Sequence, residues 1–182
     1  MDEVSVRDMT VEDVPAVSAV RVTGWKTAYA GMIPREFLDL MTVEADSEYR
    51  RSAFRSDSPV QNLVAERDGT VVGWAALGPC RDEGCTALDG EIYALYALPD
   101  AIGTGIGQAL MRELLARADR AGFTTLRLWV LEANRRARRF YERAGFHADG
   151  GRSLWNIGRT SVPEVSYVRD LLGDSGARPA AG

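Results

Sequence analysis

A chain of 182 residues with 46% hydrophobic and 26% charged side chains has the size and make-up of one soluble α/β domain with a real core. No apolar run approaches the ~18 residues that cross a bilayer, and a net charge of −4 argues against general nucleic-acid binding. The first residues are acidic and alternating, unlike a secretory signal, so a cytoplasmic protein without membrane attachment is expected. Cys80 and Cys85 stand alone in C-x4-C spacing and His147 is the single histidine, too few ligands for a structural metal, so both cysteines are expected as free thiols.

In chain order, "VSVRDMT" alternates and predicts a first strand. Thr10 is placed to cap a helix over 11–25, with Glu12 and Asp13 in its first turn. After "GWKTAYAGMIP" comes a second helical region, "PREFLDL" and "VEADSEYRRSAF". Residues 61–77 read as a hairpin folded at Asp68-Gly69. A polar loop, 81–90, precedes the strand "EIYALYAL", which Pro99 stops. Next is a helix whose Ile106, Leu110, Leu114 and Ala118 share one face, joined by Met111 and Leu115, and which Gly122 ends. "TTLRLWVL" predicts a buried strand, "NRRARRFYERA" a helix ended by Gly145, and "VPEVSYVRDLL" a last strand. Residues 173–182 are small, polar and expected to be disordered, which leaves a single domain over 1–172.

Between the fourth strand and its helix, Gly103, Gly105 and Gly107 alternate. Glycines there bare backbone N–H groups at a helix N-terminus, a ready-made anion site. Charge agrees: residues 101–145 hold nine arginines against four acidic side chains, whereas the remainder is acidic. A Walker loop needs a lysine that is absent here, the chain's single lysine being Lys26. A dinucleotide loop needs its third glycine one residue later than Gly107. A plain strand-to-helix turn accounts for one glycine and not for three.

A third pattern does fit. "LYALPDAIGTGIGQAL" resembles motif A of the GNAT superfamily of acyl-CoA-dependent N-acetyltransferases, whose loop reads Q/R-x-x-G-x-G/A. Ile102 stands where the family usually has Gln or Arg. "ANRRARRFYERAGF" is similar to the family's N-x-x-A-x-x-F-Y-x-x-x-G-F through Asn134, Ala137, Phe140, Tyr141, Gly145 and Phe146. The resemblance covers roughly residues 4–171. It implies the GNAT fold, an α/β (α+β) arrangement whose mixed, mostly antiparallel sheet splays between its middle strands and is flanked by helices.

The resemblance also implies a chemistry: acetyl transfer from acetyl-CoA, as co-substrate and without a metal, to a primary amine of a small molecule or peptide. Backbone groups of Leu95, Tyr96 and Ala97 would pair with the pantetheine and polarise the thioester carbonyl. Amides of Gly103, Thr104, Gly105, Ile106, Gly107 and Gln108 would hold the pyrophosphate. Asn134 would cap its helix and bond the pantetheine, and one of Arg135, Arg136, Arg138 and Arg139 would meet the adenosine 3′-phosphate. Glu91 is the implied general base, on a strand face shared with Tyr93, Leu95 and Ala97; a solvated strand start is its bland alternative. Tyr141 is the implied general acid at the CoA sulfur, with a core aromatic as its alternative. The base matters most for an alkylamine, since deprotonating a group of pKa ~10.4 at pH 7 costs about 4.6 kcal/mol, against about 1 for an α-amine.

Trp25 and Tyr29, four apart on a possible helix face, fall in a segment that lines the acceptor pocket in many bacterial members, although Trp25 also reads as core. Asp82, Glu83 and Asp89 suit a cationic amine or a solvated loop equally. Members of the family often dimerise, so the resemblance is compatible with a homodimer, for which the last strands offer a place. The rival reading is a non-catalytic acyl-CoA-binding sensor or regulatory protein of the same fold, which Ile102 favours and which Glu91 and Tyr141 oppose.

Overall fold

In a computed structural model, which describes residues 4–55 and 57–172, Asp68 and Gly69 both take positive φ, 50° and 76°. This is the backbone a two-residue hairpin demands, and Asp-Gly adopts it at little cost. The turn joins β2 (Gln61–Arg67) to β3 (Thr70–Pro79), and β1 (Val4–Asp8) pairs along the other edge of β2. Beyond β3 lie β4 (Asp89–Ala97), β5 (Thr125–Leu131), β7 (Thr160–Asp170) and β6 (His147–Ile157). The seven strands run in the order β1-β2-β3-β4-β5-β7-β6, antiparallel throughout except for the parallel pair β4–β5. The expected mixed, mostly antiparallel sheet is therefore present. The expected tail, 173–182, lies outside the described residues.

Three details differ from the sequence reading. The strand β6 was not expected, because Asp149-Gly150-Gly151 reads as a loop. In the structure these residues form a bulge against β7, with Gly150 at φ 88°, and the strand continues past it as a largely exposed sheet edge. The helix after Thr10 starts with a 3-10 turn, Val11–Asp13, in which Thr10 N–H donates to Asp13 Oδ2 at 2.8 Å, and α1 (Val14–Ala28) follows. Finally, Cys80 and Cys85 are joined in a disulfide rather than free. The loop before β4 doubles back through Cys80 N–H to Asp89 O and Cys85 N–H to Asp82 O, which sets the two Cα atoms 6.0 Å apart, inside the bridging range.

Helices cover both faces. On one, α4 (Ile106–Arg120) sinks Ile106, Leu110, Met111, Leu114 and Ala118 against Leu63, Ala75, Leu77, Ile92, Leu126 and Leu128, the stripe its periodicity predicts. On the other, Val14, Val17 and Val20 of α1 meet Val64, Trp74, Ala76 and Ala94. The short α2 (Arg35–Leu40) and α3 (Val43–Ala53) follow α1, and α5 (Arg135–Arg143) packs on the α4 side through Ala137, Phe140 and Tyr141.

β4 and β5 make only three residue pairs, Asp89–Thr125, Gly90–Leu126 and Glu91–Arg127. Past Glu91 they part, and the sheet opens into a wedge between its two halves. No helix among the described residues is long and apolar enough to cross a membrane.

Two expectations follow for stability. Leu114 is fully buried, so Leu114→Ala should cost about 2–5 kcal/mol in urea unfolding. The Arg7 guanidinium, with Nη1–H 2.6 Å from Asp13 Oδ2, holds the Asp13 carboxyl below its usual range. A carboxyl depressed in the fold stabilises fully above about pH 4 and loses that contribution as pH falls through the folded value. Asp13→Asn should therefore flatten the fall in thermal midpoint between about pH 5 and 3.

Candidate active site at the parting of two strands

Where β4 leaves β5, alternate backbone groups of residues 92–97 on that side have no strand to bond. The other edge of β4 is fully paired, with Leu95 opposite Ala75, Tyr96 opposite Trp74 and Ala97 opposite Gly73. A register shift lies between Ala76 and Leu77, where β4 carries one extra residue, Tyr93, between Ala94 and Ile92. This bulge corrects the expected common face of Glu91, Tyr93, Leu95 and Ala97. Leu95 and Ala97 pack with α4, whereas Tyr93 and Tyr96 pack with the α1 side.

At the open end of the wedge, Gly103 and Gly105 hold φ of 81° and 93°, and Gly105 is the left-handed N-cap of α4. The first helical amide to find a carbonyl is Ala109, which donates to Gly105 O at 2.9 Å. The amides of Ile106, Gly107 and Gln108 are thus the orphan donors of a helix N-terminus. Gly107 serves a different need from the other two glycines. A Cβ there would lie 3.3 Å from the Phe140 ring and 3.9 Å from Leu95 Cδ2, so its bareness lets α4, α5 and β4 converge. Ile102 brings no charge to the loop, but Arg67, at the end of β2, donates to Thr104 Oγ1, which in turn donates to Ala101 O at 2.7 Å.

Asn134 is buried at the start of α5, and its Oδ1 accepts from Ala137 N–H at 3.1 Å, which caps the helix. Of the four arginines in this helix, Arg138 is committed inward, to the Tyr167 hydroxyl and Glu132 O. Arg135, Arg136 and Arg139 stay exposed. Tyr141 packs edge-on to Phe140 and Phe146. Its hydroxyl makes no hydrogen bond among the described residues, and burial pushes it above the usual phenol range.

The α1 side of the wedge is aromatic. The Tyr29 and Tyr96 hydroxyls lie 3.1 Å apart, and Trp25 stands edge-on to Tyr29 and to Trp155, at 5.1 and 5.3 Å between centroids. Burial, and then one another's charge, push the Tyr29 phenol up; burial alone accounts for most of the rise at Tyr96. Tyr141, packed on the α4 side, lies within electrostatic range of Tyr29 and Tyr96. Trp25 and Tyr29 both belong to the α1-side aromatic cluster.

Glu91 sits at the closed end and is 2% exposed. Both of its oxygens are taken: Oε2 accepts from Arg81 N–H at 2.9 Å and Nε–H at 3.2 Å, and Oε1 from Nη2–H at 2.5 Å. Arg81 also lies over the Tyr93 ring, 3.9 Å from its centroid. Asp82 accepts from Trp129 Nε1–H at 2.9 Å and pairs with Arg127 at 3.6 Å, while Asp89 accepts from the Thr86 amide and hydroxyl. One acidic side chain that the sequence did not single out belongs here. Glu164, on β7, lies half-buried and makes no ion pair or hydrogen bond among the described residues, yet its charge acts on both the Tyr29 and Tyr96 hydroxyls.

This arrangement, a splayed sheet with an anion-ready helix end at its mouth and phenols beside its throat, is an acyltransferase framework. The profile of the acetyltransferase (GNAT) family matches residues 29–146, and the chain belongs to that family. An uncharacterised N-acetyltransferase of Bacillus subtilis (strain 168), YuaI, is 30% identical over 72% of this chain and 73% of its own. Another, Rv2669 of Mycobacterium tuberculosis (strain H37Rv), is 36% identical over 69% and 77%. Among solved structures, a PaiA N-acetyltransferase from Thermoplasma acidophilum in complex with coenzyme A superposes with a TM-score of 0.74 at 21% identity, covering 92% of this chain and 99% of that one. The protein is accordingly an acyltransferase of the GNAT type.

The left-handed backbone at Gly105 gives a direct check on the loop. Gly105→Ala forces a Cβ into φ 93° and should destabilise the fold by about 1–2 kcal/mol in urea unfolding.

Proposed function

We propose that the protein transfers the acetyl group of acetyl-CoA to a primary amine of a small molecule or peptide, by direct attack of the amine on the thioester. The observation that carries this reading is the wedge past Glu91, with α4's orphan amides at its mouth and Tyr141 coupled to Tyr96 in its throat. The PaiA protein bound to coenzyme A, and YncA of Salmonella typhimurium solved with acetyl-CoA, support the choice of co-substrate. The proposed compartment is the cytoplasm.

The residues divide the work by chemistry. Amides of Gly103 to Gln108 meet the pyrophosphate, where unpaired N–H groups and the helix dipole both favour negative charge. The exposed arginines of α5 stand ready for the 3′-phosphate, Arg138 excepted because it is already bonded inward. Leu95, Tyr96 and Ala97 offer the free strand edge to the pantetheine, and Asn134 adds its amide. A backbone N–H of that edge stabilises the oxyanion as the thioester carbonyl is attacked.

Tyr141 gives its proton to the departing thiolate. A phenol raised by burial stays protonated through the neutral range, so it is ready as a donor, and the transfer proceeds as the C–S bond breaks rather than before it. Glu91 offers no free oxygen while Arg81 is in place. To act as the base it must exchange that partner, whose side chain is 63% exposed, for water or for the amine itself.

Two measurements test the reading. Tyr141→Phe should lower kcat about 100-fold while the acetyl-CoA Kd stays within twofold. Because burial raises the Tyr141 phenol, wild-type kcat should show no basic limb from this group below about pH 10, the ordinary phenol value. Calorimetry in which acetyl-CoA fails to bind would overturn the function itself.

A further inference from the structure

Among the described residues, the other buried or half-buried acidic side chains are matched by cations or, at Asp89, by the Thr86 amide and hydroxyl. Asp13 pairs with Arg7, Asp46 with Arg21 and Arg50, and Glu91 with Arg81. Glu164 breaks the rule, since no cation or donor meets it among the described residues. Leaving a half-buried carboxylate unpaired costs free energy, and a fold keeps such a group most readily where something else supplies the counter-charge.

Register shows where the carboxylate points. Glu164 pairs with Leu131 on β5 and Ser153 on β6. Its strand neighbours Val165 and Tyr167 pack into the α4 core at 7% and 1% exposure, so alternation turns Glu164 to the opposite, α1 side. There it shares a face with Val162, Leu131 and Trp155, which pack with Trp25 and Tyr29. The Trp25 ring is already covered by the Arg21 guanidinium, 4.6 Å from its centroid, which leaves Tyr29, Tyr96 and Trp155 as the aromatic walls open to a guest. Such walls beside an unpaired carboxylate suit an alkylammonium, whose methylenes pack on the rings while its charge meets the carboxylate.

We propose that Glu164 receives the ammonium of the acceptor, a primary aliphatic amine, and takes its proton, Glu91 remaining with Arg81. The inference rests on the acetyl-transfer reading above and names its acceptor class. One proton passes from R–NH3+ to the Glu164 carboxylate. The freed lone pair forms the C–N bond at the thioester carbonyl carbon, and the C–S bond breaks as the oxyanion collapses. The thiolate takes the Tyr141 proton; the proton shed by nitrogen as the amide forms restores the phenol through water, and Glu164 releases its own to solvent. The products are the N-acetylamine, coenzyme A as thiol, and one proton.

Burial raises the Glu164 carboxyl, which strengthens it as a proton acceptor. The titratable and charged groups around it are Tyr29, just past the end of α1, and Tyr96 of β4, both within electrostatic range of its carboxylate. Tyr141 of α5 acts on those two phenols, Arg21 is paired with Asp46, and Arg152 of β6 is paired with Glu132. None of the cations is free to neutralise Glu164 in the amine's place.

The test measures kcat/KM for butylamine with saturating acetyl-CoA from pH 6.5 to 9.5, in the full chain and in Glu164→Gln. The variant is expected to lose about 100- to 1,000-fold near pH 7 and to recover as pH approaches the amine's own pKa, near 10.4, because free amine then needs no base. Its acetyl-CoA Kd should stay within twofold of wild type by calorimetry. Glu164→Asp, which keeps the charge on a shorter arm, should restore part of the loss, and it carries the test if the Gln variant does not fold. Wild-type kcat/KM with an unchanged pH profile in folded Glu164→Gln would overturn the proposal while leaving the transferase reading standing. Failure of the wild-type chain to bind acetyl-CoA would overturn both.

Discussion

The structure depends on the brevity of one contact. β4 and β5 are parallel and hydrogen-bonded over three residue pairs, then diverge. Backbone N–H and C=O groups inside a protein demand partners, so a sheet that opens down its middle carries a cost along both exposed edges. Both halves of the sheet are held elsewhere, by β3 on one side and β7 on the other, over seven pairs each. The opening is therefore held apart from both sides, and its unmatched edge is the one that the proposed pantetheine would pair with.

Around that opening, α4 and α5 are drawn together by a missing side chain. Gly107 admits the Phe140 ring to within contact of the helix backbone and of Leu95. The same step sets Tyr141, the next residue, beside Phe146 and within electrostatic reach of Tyr96. The glycine loop and the Tyr141 phenol are thus positioned by one packing contact.

Much of this was legible in the residues. The 3.6 periodicity of α4, the Asp68-Gly69 turn and the two motifs placed the framework, because each reflects local chemistry that tertiary context does not override. What escaped was context itself. The Asp149-Gly150-Gly151 run signals a turn, and only its pairing with β7 makes it a bulge in a strand. The extra residue at Tyr93 is invisible to an alternation rule, yet it sends Glu91 and Leu95 to different surroundings. The Cys80–Cys85 bridge followed from a loop that folds on itself, which spacing alone does not report. Glu164 sits in "VPEVSYV", where an alternating glutamate reads as solvent-facing. That its strand lies inside the sheet, facing the aromatic throat, is a fact of topology.

The link from Arg67 through Thr104 to the Ala101 carbonyl has a consequence for how the glycine loop is governed. The cation that meets Thr104 belongs to a hairpin 37 residues earlier in the chain, not to the loop's own sequence. Drift in the hairpin, including changes to Asp68 or Gly69 that tilt Arg67, is thereby transmitted to the shape of the glycine loop.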